Sequence, residues 1–257
     1  MTRSALRRAQ PRGTTTGAQD GPRIAVIGAG VAGLTVAGAL AARAQVTVFE
    51  KSRGVGGRMA TRRAGQWQFD HGTQFFTARS PAFRSFLEPH IDAGAVREWS
   101  GPLVYLECGK PPRKRLWFEP HYVACPSMNA LCKLVASGVE VHTGVEVAPL
   151  RTRTAGGWTL EDAAGAPLGS FDAVICTAPA PQTVRLLERH LAADAALRKV
   201  RYRACFALLL GLESARAPGW IAGKACDNPI EWIALQSSRP ARSPAVALVA
   251  HASADWS

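Results

Sequence analysis

The chain has 257 residues, a formal net charge of +12 and 47% hydrophobic residues, enough for a sizeable core and one or two domains, of which two are expected here. Its longest strongly apolar run, residues 204–212, is far too short to span a bilayer, so no membrane partner is expected. The basic side chains are scattered apart from Arg62-Arg63 and Arg113-Lys114-Arg115, which reads as a solvated, arginine-biased surface and argues against a nucleic-acid partner. Six cysteines, at 108, 125, 132, 176, 205 and 226, form no C-x-x-C pair, and no histidine stands at metal spacing. No metal is therefore expected. Cys132, Cys176 and Cys205 lie in apolar runs and read as small core residues suited to a reducing, cytoplasmic compartment.

Residues 1–21 carry Arg7-Arg8 with no apolar stretch behind them, so they lack the pattern of a secretion signal and read as a disordered tail. Residues 24–27 form a short apolar strand that runs into Gly28-Ala29-Gly30-Val31-Ala32-Gly33, the G-x-G-x-x-G spacing. In such a turn Gly28 allows the bend, Gly30 lets backbone approach a pyrophosphate, and Gly33 lets the next helix lie close on the sheet. The spacing predicts that helix over 31–43, with Leu34, Ala37 and Leu40 on one face. A second strand follows over 45–49, and Glu50 ends it where an acid accepts hydrogen bonds from ribose hydroxyls. Together these features predict a dinucleotide site, which would also engage part of the positive charge.

Lys51-Ser52-Arg53-Gly54-Val55-Gly56-Gly57-Arg58-Met59 is a second glycine-rich loop. Gly56 and Gly57 permit another close backbone approach, and Arg58 brings charge to phosphate. Taken together, V-I-G-A-G-V-A-G-L and E-K-S-R-G-V-G-G-R-M resemble the flavoprotein branch that includes amine oxidases, phytoene desaturases and renalase. The resemblance implies non-covalently bound FAD as cofactor, with the paired-glycine loop against it.

Residues 67–70 read as a strand entering a D-x-G turn at Asp70-His71-Gly72, where Asp70 and His71 are expected as a local pair. The resemblance instead makes Gly72 and Gln74 cofactor-side residues. Ser80-Pro81 opens a helix to about residue 91, and residues 99–118 read as a hairpin about a Gly-Lys-Pro-Pro turn, with Trp117 in the core. A helix beginning at Pro126 or Ser127 carries Leu131, Leu134 and Val135 and stops at Gly138. Strands follow over 139–142, 145–147 and 158–160. In related flavoproteins a residue at the position of Val147 contacts adenine. Residues 171–176 read as a buried parallel strand that presents Thr177 and Pro179 at its carboxyl edge. A helix is predicted over 186–197, then three strands over 202–212, 227–234 and 245–251. Resemblance places His251 on the substrate side of the flavin, to orient substrate by hydrogen bonding.

The expected fold class is α/β: a Rossmann-like FAD-binding domain, residues 22–78 and 122–190, interleaved with a smaller antiparallel β-sheet substrate domain, residues 79–121 and 191–257. Flavoproteins of this branch end in a segment whose Gly-Asp pair contacts FAD, and the chain is expected to lack it. The resemblance implies an FAD-dependent oxidoreductase that takes hydride from a small-molecule substrate, a dihydro-NAD(P) isomer as in renalase, and passes electrons to dioxygen. An amine oxidase or desaturase-type enzyme, or a non-catalytic dinucleotide-binding fragment, are the alternatives. Oligomeric state is left open.

Overall fold

The computed structural model describes residues 21–151, 157–192, 196–226 and 229–257. The expected tail, except Gly21, lies outside the described residues, as do 193–195 of the predicted helix and 227–228 of a predicted strand.

A four-stranded parallel sheet runs in the order Ala173–Cys176, Arg23–Ile27, Gln45–Glu50, Glu140–Thr143. Apolar, β-branched residues make its centre, where Ala25, Val26 and Val48 are wholly buried. The helix Val31–Leu40 packs on this sheet through Gly33, Leu34 and Ala37, and the helix Met128–Val135 packs beside it through Leu131 and Cys132. Leu134 faces outward instead of joining that core. Cys132 is a core thiol as expected, pushed up to about 11 by burial, whereas Cys205 is exposed.

Three elements near the carboxyl end of this region differ from expectation. The run 171–176 is broken at Asp172, whose carboxylate accepts the Arg23 N–H at 2.7 Å. Phe171 before it belongs to the hairpin Trp158–Glu161/Pro167–Phe171, and the strand Ala173–Cys176 after it is half-buried because it forms the sheet edge. Val147 makes only an isolated bridge to Asp162. The helix expected over 186–197 begins earlier, as Ala180–Leu187, followed by the turn Glu188–His190 and the short helix Ala196–Lys199. Pro181 sits in its first turn, where a missing N–H costs nothing, so the proline pair was the true start signal.

The second region is a six-stranded sheet in the order Ala207–Gly211, Ala247–Ala252, Ile230–Leu235, Ala222–Ala225, Leu103–Leu106, Arg113–Arg115. It is antiparallel except where Leu103–Leu106 pairs with Ala222–Ala225. That last strand, A-G-K-A, has no β-branched residue to announce it and is held by ladders on both sides. The helix Pro81–Asp92 starts as predicted, with Ser80 Oγ accepting the Phe83 N–H at 3.2 Å. Trp117 is half-buried between Phe75 and Trp99. At the sheet edge Phe206, Leu208, Leu210 and Leu212 are exposed, with Trp256 beside Phe206.

Candidate functional site

A cleft of about 820 Å³ opens at the carboxyl ends of the parallel strands, where open α/β sheets place their ligands. The first glycine turn forms its floor. Gly28, at φ +107°, donates to the Phe49 carbonyl at 2.8 Å. A Cβ on Gly33 would stand 1.9 Å from the Gly28 oxygen, so only glycine lets the helix start this close to the strand. At Gly30, which caps the helix Val31–Leu40, a Cβ would meet nothing within 4 Å. That open volume lies over the free N–H groups and positive dipole end of the helix, whose first turn holds no acidic residue. Lys51, Arg58 and Arg185 also line the cleft, and none of them has an ion-pair partner among the described residues. The donor set therefore fits a pyrophosphate.

Glu50 does more than ribose recognition requires. It is buried, and its two carboxylate oxygens accept the N–H groups of Ala29 and Ser52, each at 2.8 Å. It thus ties the first glycine turn to the second loop while lining the cleft, with lone pairs left for hydroxyl donors. The loops also touch directly: Gly56, at φ +128°, donates to the Ala29 carbonyl at 2.9 Å, and a Cβ on Gly57 would stand 3.5 Å from Gly30 Cα. Thr177 braces the turn from the opposite side, its hydroxyl 3.1 Å from the carbonyls of Ile27 and Gly28. Val147 and Pro179 complete this end of the cleft. Gly28, Gly30, Gly33, Glu50, Gly56, Gly57, Arg58, Val147, Thr177 and Pro179 are thus brought together in one wall.

Three expected site residues stand elsewhere. Gly72 lies beneath the second glycine loop, where a Cβ would stand 2.1 Å from the Arg58 oxygen. Its neighbour Thr73, not anticipated from sequence, lines the cleft, as do Phe76 and Phe83. Gln74 is buried and turned away from the cleft, its amide nitrogen donating to the carbonyls of Asp70 and Gly72. His251 sits behind the same segment. Its Nε2 is 2.9 Å from the His71 carbonyl, which can only accept, so the proton belongs on Nε2 and Nδ1 keeps its lone pair. Gln74 Nε2, 3.4 Å from that nitrogen, is then a second donor and not a partner. Burial lowers the His251 pKa, which keeps the ring neutral at pH 7.

Behind this segment lies a buried polar cluster that local sequence did not announce. Asp70, read as a turn residue paired with His71, is instead wholly buried, and its Oδ1 accepts from Thr61 Oγ1 at 2.6 Å and the Met128 N–H at 3.1 Å. Arg242 donates to Oδ2, and Arg239 Nη1 lies 3.4 Å from it. Gln236 accepts the Asp70 N–H at 3.0 Å and donates to Gln74 Oε1 at 3.2 Å, where Arg239 Nη2 also donates at 2.9 Å. Two arginines assigned to a solvated surface are therefore interior. Arg239-Pro240-Ala241-Arg242 carries no period that would have marked them.

The cleft, at the carboxyl ends of the parallel strands and lined by both glycine loops, has the geometry of a dinucleotide site. The chain belongs to the flavin containing amine oxidoreductase family, whose model matches residues 126–256, and residues 26–89 match the NAD(P)-binding Rossmann-like domain. Membership makes FAD the cofactor whose donors are described above. A 4,4'-diapophytoene desaturase of Staphylococcus haemolyticus is 54% identical over 50 residues, a stretch covering 19% of this chain and 10% of that protein. Among solved structures, a proposed protoporphyrinogen oxidase from Exiguobacterium sp. 255-15 superposes with a TM-score of 0.71 at 13% identity, covering 92% of this chain and 78% of that one. A redesigned putrescine oxidase does so with a TM-score of 0.65 at 12% identity, covering 90% and 75%. At such identities the likeness establishes the fold. Among the described residues no helix is long and apolar enough to cross a membrane.

Proposed function

We propose that this chain is an FAD-dependent oxidoreductase that takes hydride from a small electron-rich substrate, a dihydro-NAD(P) isomer in the manner of renalase, and passes the electrons to dioxygen. The observation that carries the reading is the open volume above Gly30, at a helix N-terminus, among three cationic side chains that have no ion-pair partner among the described residues. Gly28 to Gly33 would hold the pyrophosphate, Glu50 the ribose, the segment at Val147 the adenine, and Arg58 a phosphate oxygen. Bound FAD supplies two-electron acceptance, so this chain needs only to bind, orient and exclude water.

Met59, Phe76, Phe83 and Leu131 give the cleft an apolar lining that keeps water out. His251, bonded to the His71 carbonyl and not lining the cleft, would serve as a positioning residue for the segment that carries Thr73.

The test is direct. Purified protein is equilibrated with FAD, and its visible spectrum is followed anaerobically after addition of dihydronicotinamide isomers or of primary amines, then after admission of air. Bleaching by the dihydronicotinamides and recovery in air supports the proposal. Bleaching by amines alone moves the substrate to the amine class, and failure to take up FAD defeats the cofactor reading.

A further inference from the structure

Two guanidiniums and one carboxylate are buried together behind the segment whose Thr73 and Phe76 line the cleft. The side chains of Asp70, Arg239 and Arg242 are 1%, 1% and 2% exposed, and among the described residues Asp70 is the carboxylate that both arginines share. Arg63, itself exposed, donates to Ser127 Oγ at 3.2 Å, and its charge acts on Arg242 from the solvent side. Of the other ionisable groups near the cluster, Cys125 is pushed towards its neutral thiol by burial, and His251, on which the charge of Arg239 acts, is pushed towards its neutral form as well. The cluster therefore carries excess positive charge where water does not screen it. Burial pulls Arg239 down to about 10 despite the attraction of Asp70, and pulls Arg242 in the same direction. Among the described residues Arg239 Nε and Arg242 Nε find no hydrogen-bond partner. Arg239 also lies over the Trp99 ring, 4.7 Å from its centre, which compensates only part of the lost hydration.

Buried charges are ordinarily paired one to one, because an uncompensated one costs several kcal/mol even after relaxation, roughly. An apolar pair would fill this space without that cost. Retention of the second cation thus calls for negative charge that arrives from outside the cluster. The route is visible: Arg239 Nη2 holds Gln74 Oε1, and Gln74 adjoins Thr73 on the cleft wall. Between cluster and cleft stands one ordered peptide segment of low dielectric, through which the field of an unscreened cation carries.

Resting on the FAD reading above, we propose that Arg239 and Arg242 are charge-compensating and positioning residues: their excess positive charge favours the negative charge that the cofactor gains on reduction, and so raises its reduction potential. Neither arginine touches the cleft, so both act through the segment 70–76 and its Gln74 anchor. Their contribution is to the electronics of the bound ring and not to contact with substrate.

The test compares wild type with Arg239→Gln, Arg239→Lys, Arg242→Gln and Asp70→Asn, each loaded with FAD. Midpoint potential, the dissociation constant for sulfite and thermal unfolding are measured on each. Arg239→Gln and Arg242→Gln should lower the potential and weaken sulfite binding by about tenfold, the scale of one partly screened charge. Arg239→Lys should restore most of both, and Asp70→Asn should raise the potential. A purely structural role would lower thermal stability in all four and leave the potential where it was, which would overturn the proposal. A shift of the same sign in Asp70→Asn and Arg239→Gln would also overturn it. Should Asp70→Asn not fold, the arginine variants decide: equal shifts in Arg239→Gln and Arg239→Lys reject charge as the cause, and a shift confined to the glutamine variants supports it. Wild type that takes up no FAD overturns the FAD reading as well, whereas FAD-loaded variants of unchanged potential overturn this inference alone.

Discussion

The cradle of the cleft and the buried cluster behind it are both built around a carboxylate, Glu50 and Asp70, yet they are held together differently. Glu50 binds backbone N–H groups 21 residues before it and 2 after it, so the geometry of one strand–turn–helix–strand unit suffices. Asp70 binds side chains 9 and 172 residues away and exists as a buried ion only once the six-stranded sheet has closed on it. The cradle's specificity is steric and resides in absent side chains at Gly28, Gly30 and Gly33. That of the cluster is electrostatic and resides in long side chains from four stretches of chain. A cradle of the first kind can persist with its ligand site altered, whereas a cluster of the second kind fails as a unit.

The largest expected effect tests the steric half. Gly33→Ala places a carbon 1.9 Å from a backbone oxygen that cannot move without breaking the turn, and should cost at least about 3 kcal/mol along with FAD uptake. Chemical denaturation would measure the first and absorbance near the flavin band the second. Native stability in this variant would mean that the close helix–strand approach is not the reason for glycine. On the other side, Asp70→Asn leaves two buried guanidiniums without a counter-ion and should cost about 3–5 kcal/mol. A loss below about 1 kcal/mol would show the cluster hydrated and the contrast with Glu50 overdrawn.

A smaller effect separates folding from binding within the cradle. Gly30 has ordinary φ and empty space before it, so Gly30→Ala should leave unfolding nearly unchanged while weakening FAD by tenfold or more, about 1.4 kcal/mol. Equal FAD affinity by titration would put the pyrophosphate elsewhere. The smallest expected effect concerns His251. Burial lowers its pKa from the ordinary 6.5, so the unfolded chain takes the proton first. Stability is then flat above about pH 6.5 and falls as pH drops below it. His121, lowered by burial as well, contributes in the same sense. Thermal midpoints between pH 7 and 5 should decline, and His251→Gln should flatten part of that slope. An unaltered slope would show that His251 does not contribute to it.

The contrast also bears on how much of the molecule is legible in its residue order. The strand Arg23–Ile27, the helix after it, the strand ending at Glu50, the Ser80-capped helix and the hairpin around Gly109 are each announced by local signals: a glycine spacing, a cap, an alternating run. So are Gly28, Gly30, Gly33, Glu50, Gly56 and Gly57 of the cleft wall, because backbone recognition needs only a local conformation, whereas Val147 is expected there from the family resemblance alone. The helix Ala180–Leu187 starts ahead of the Ala-rich run that predicts it, because the proline pair sets its first turn. The strand Ala222–Ala225 has no local signal, because its pairing comes from its neighbours and not from its own side chains.

Sequence by itself determined the dinucleotide cradle, since a turn of three glycines and a terminal acid are conformational instructions that act within thirty residues or so, while FAD as the particular cofactor comes from the family resemblance. Only tertiary structure decided that Gln74 and His251 stand behind the cleft wall, that Asp70 is an interior counter-ion, and that Arg239 and Arg242 leave solvent to meet it. The reason is physical: burial and ion pairing depend on which distant segments exclude water from a group, and a charge carries no local mark of the partner that will be brought to it.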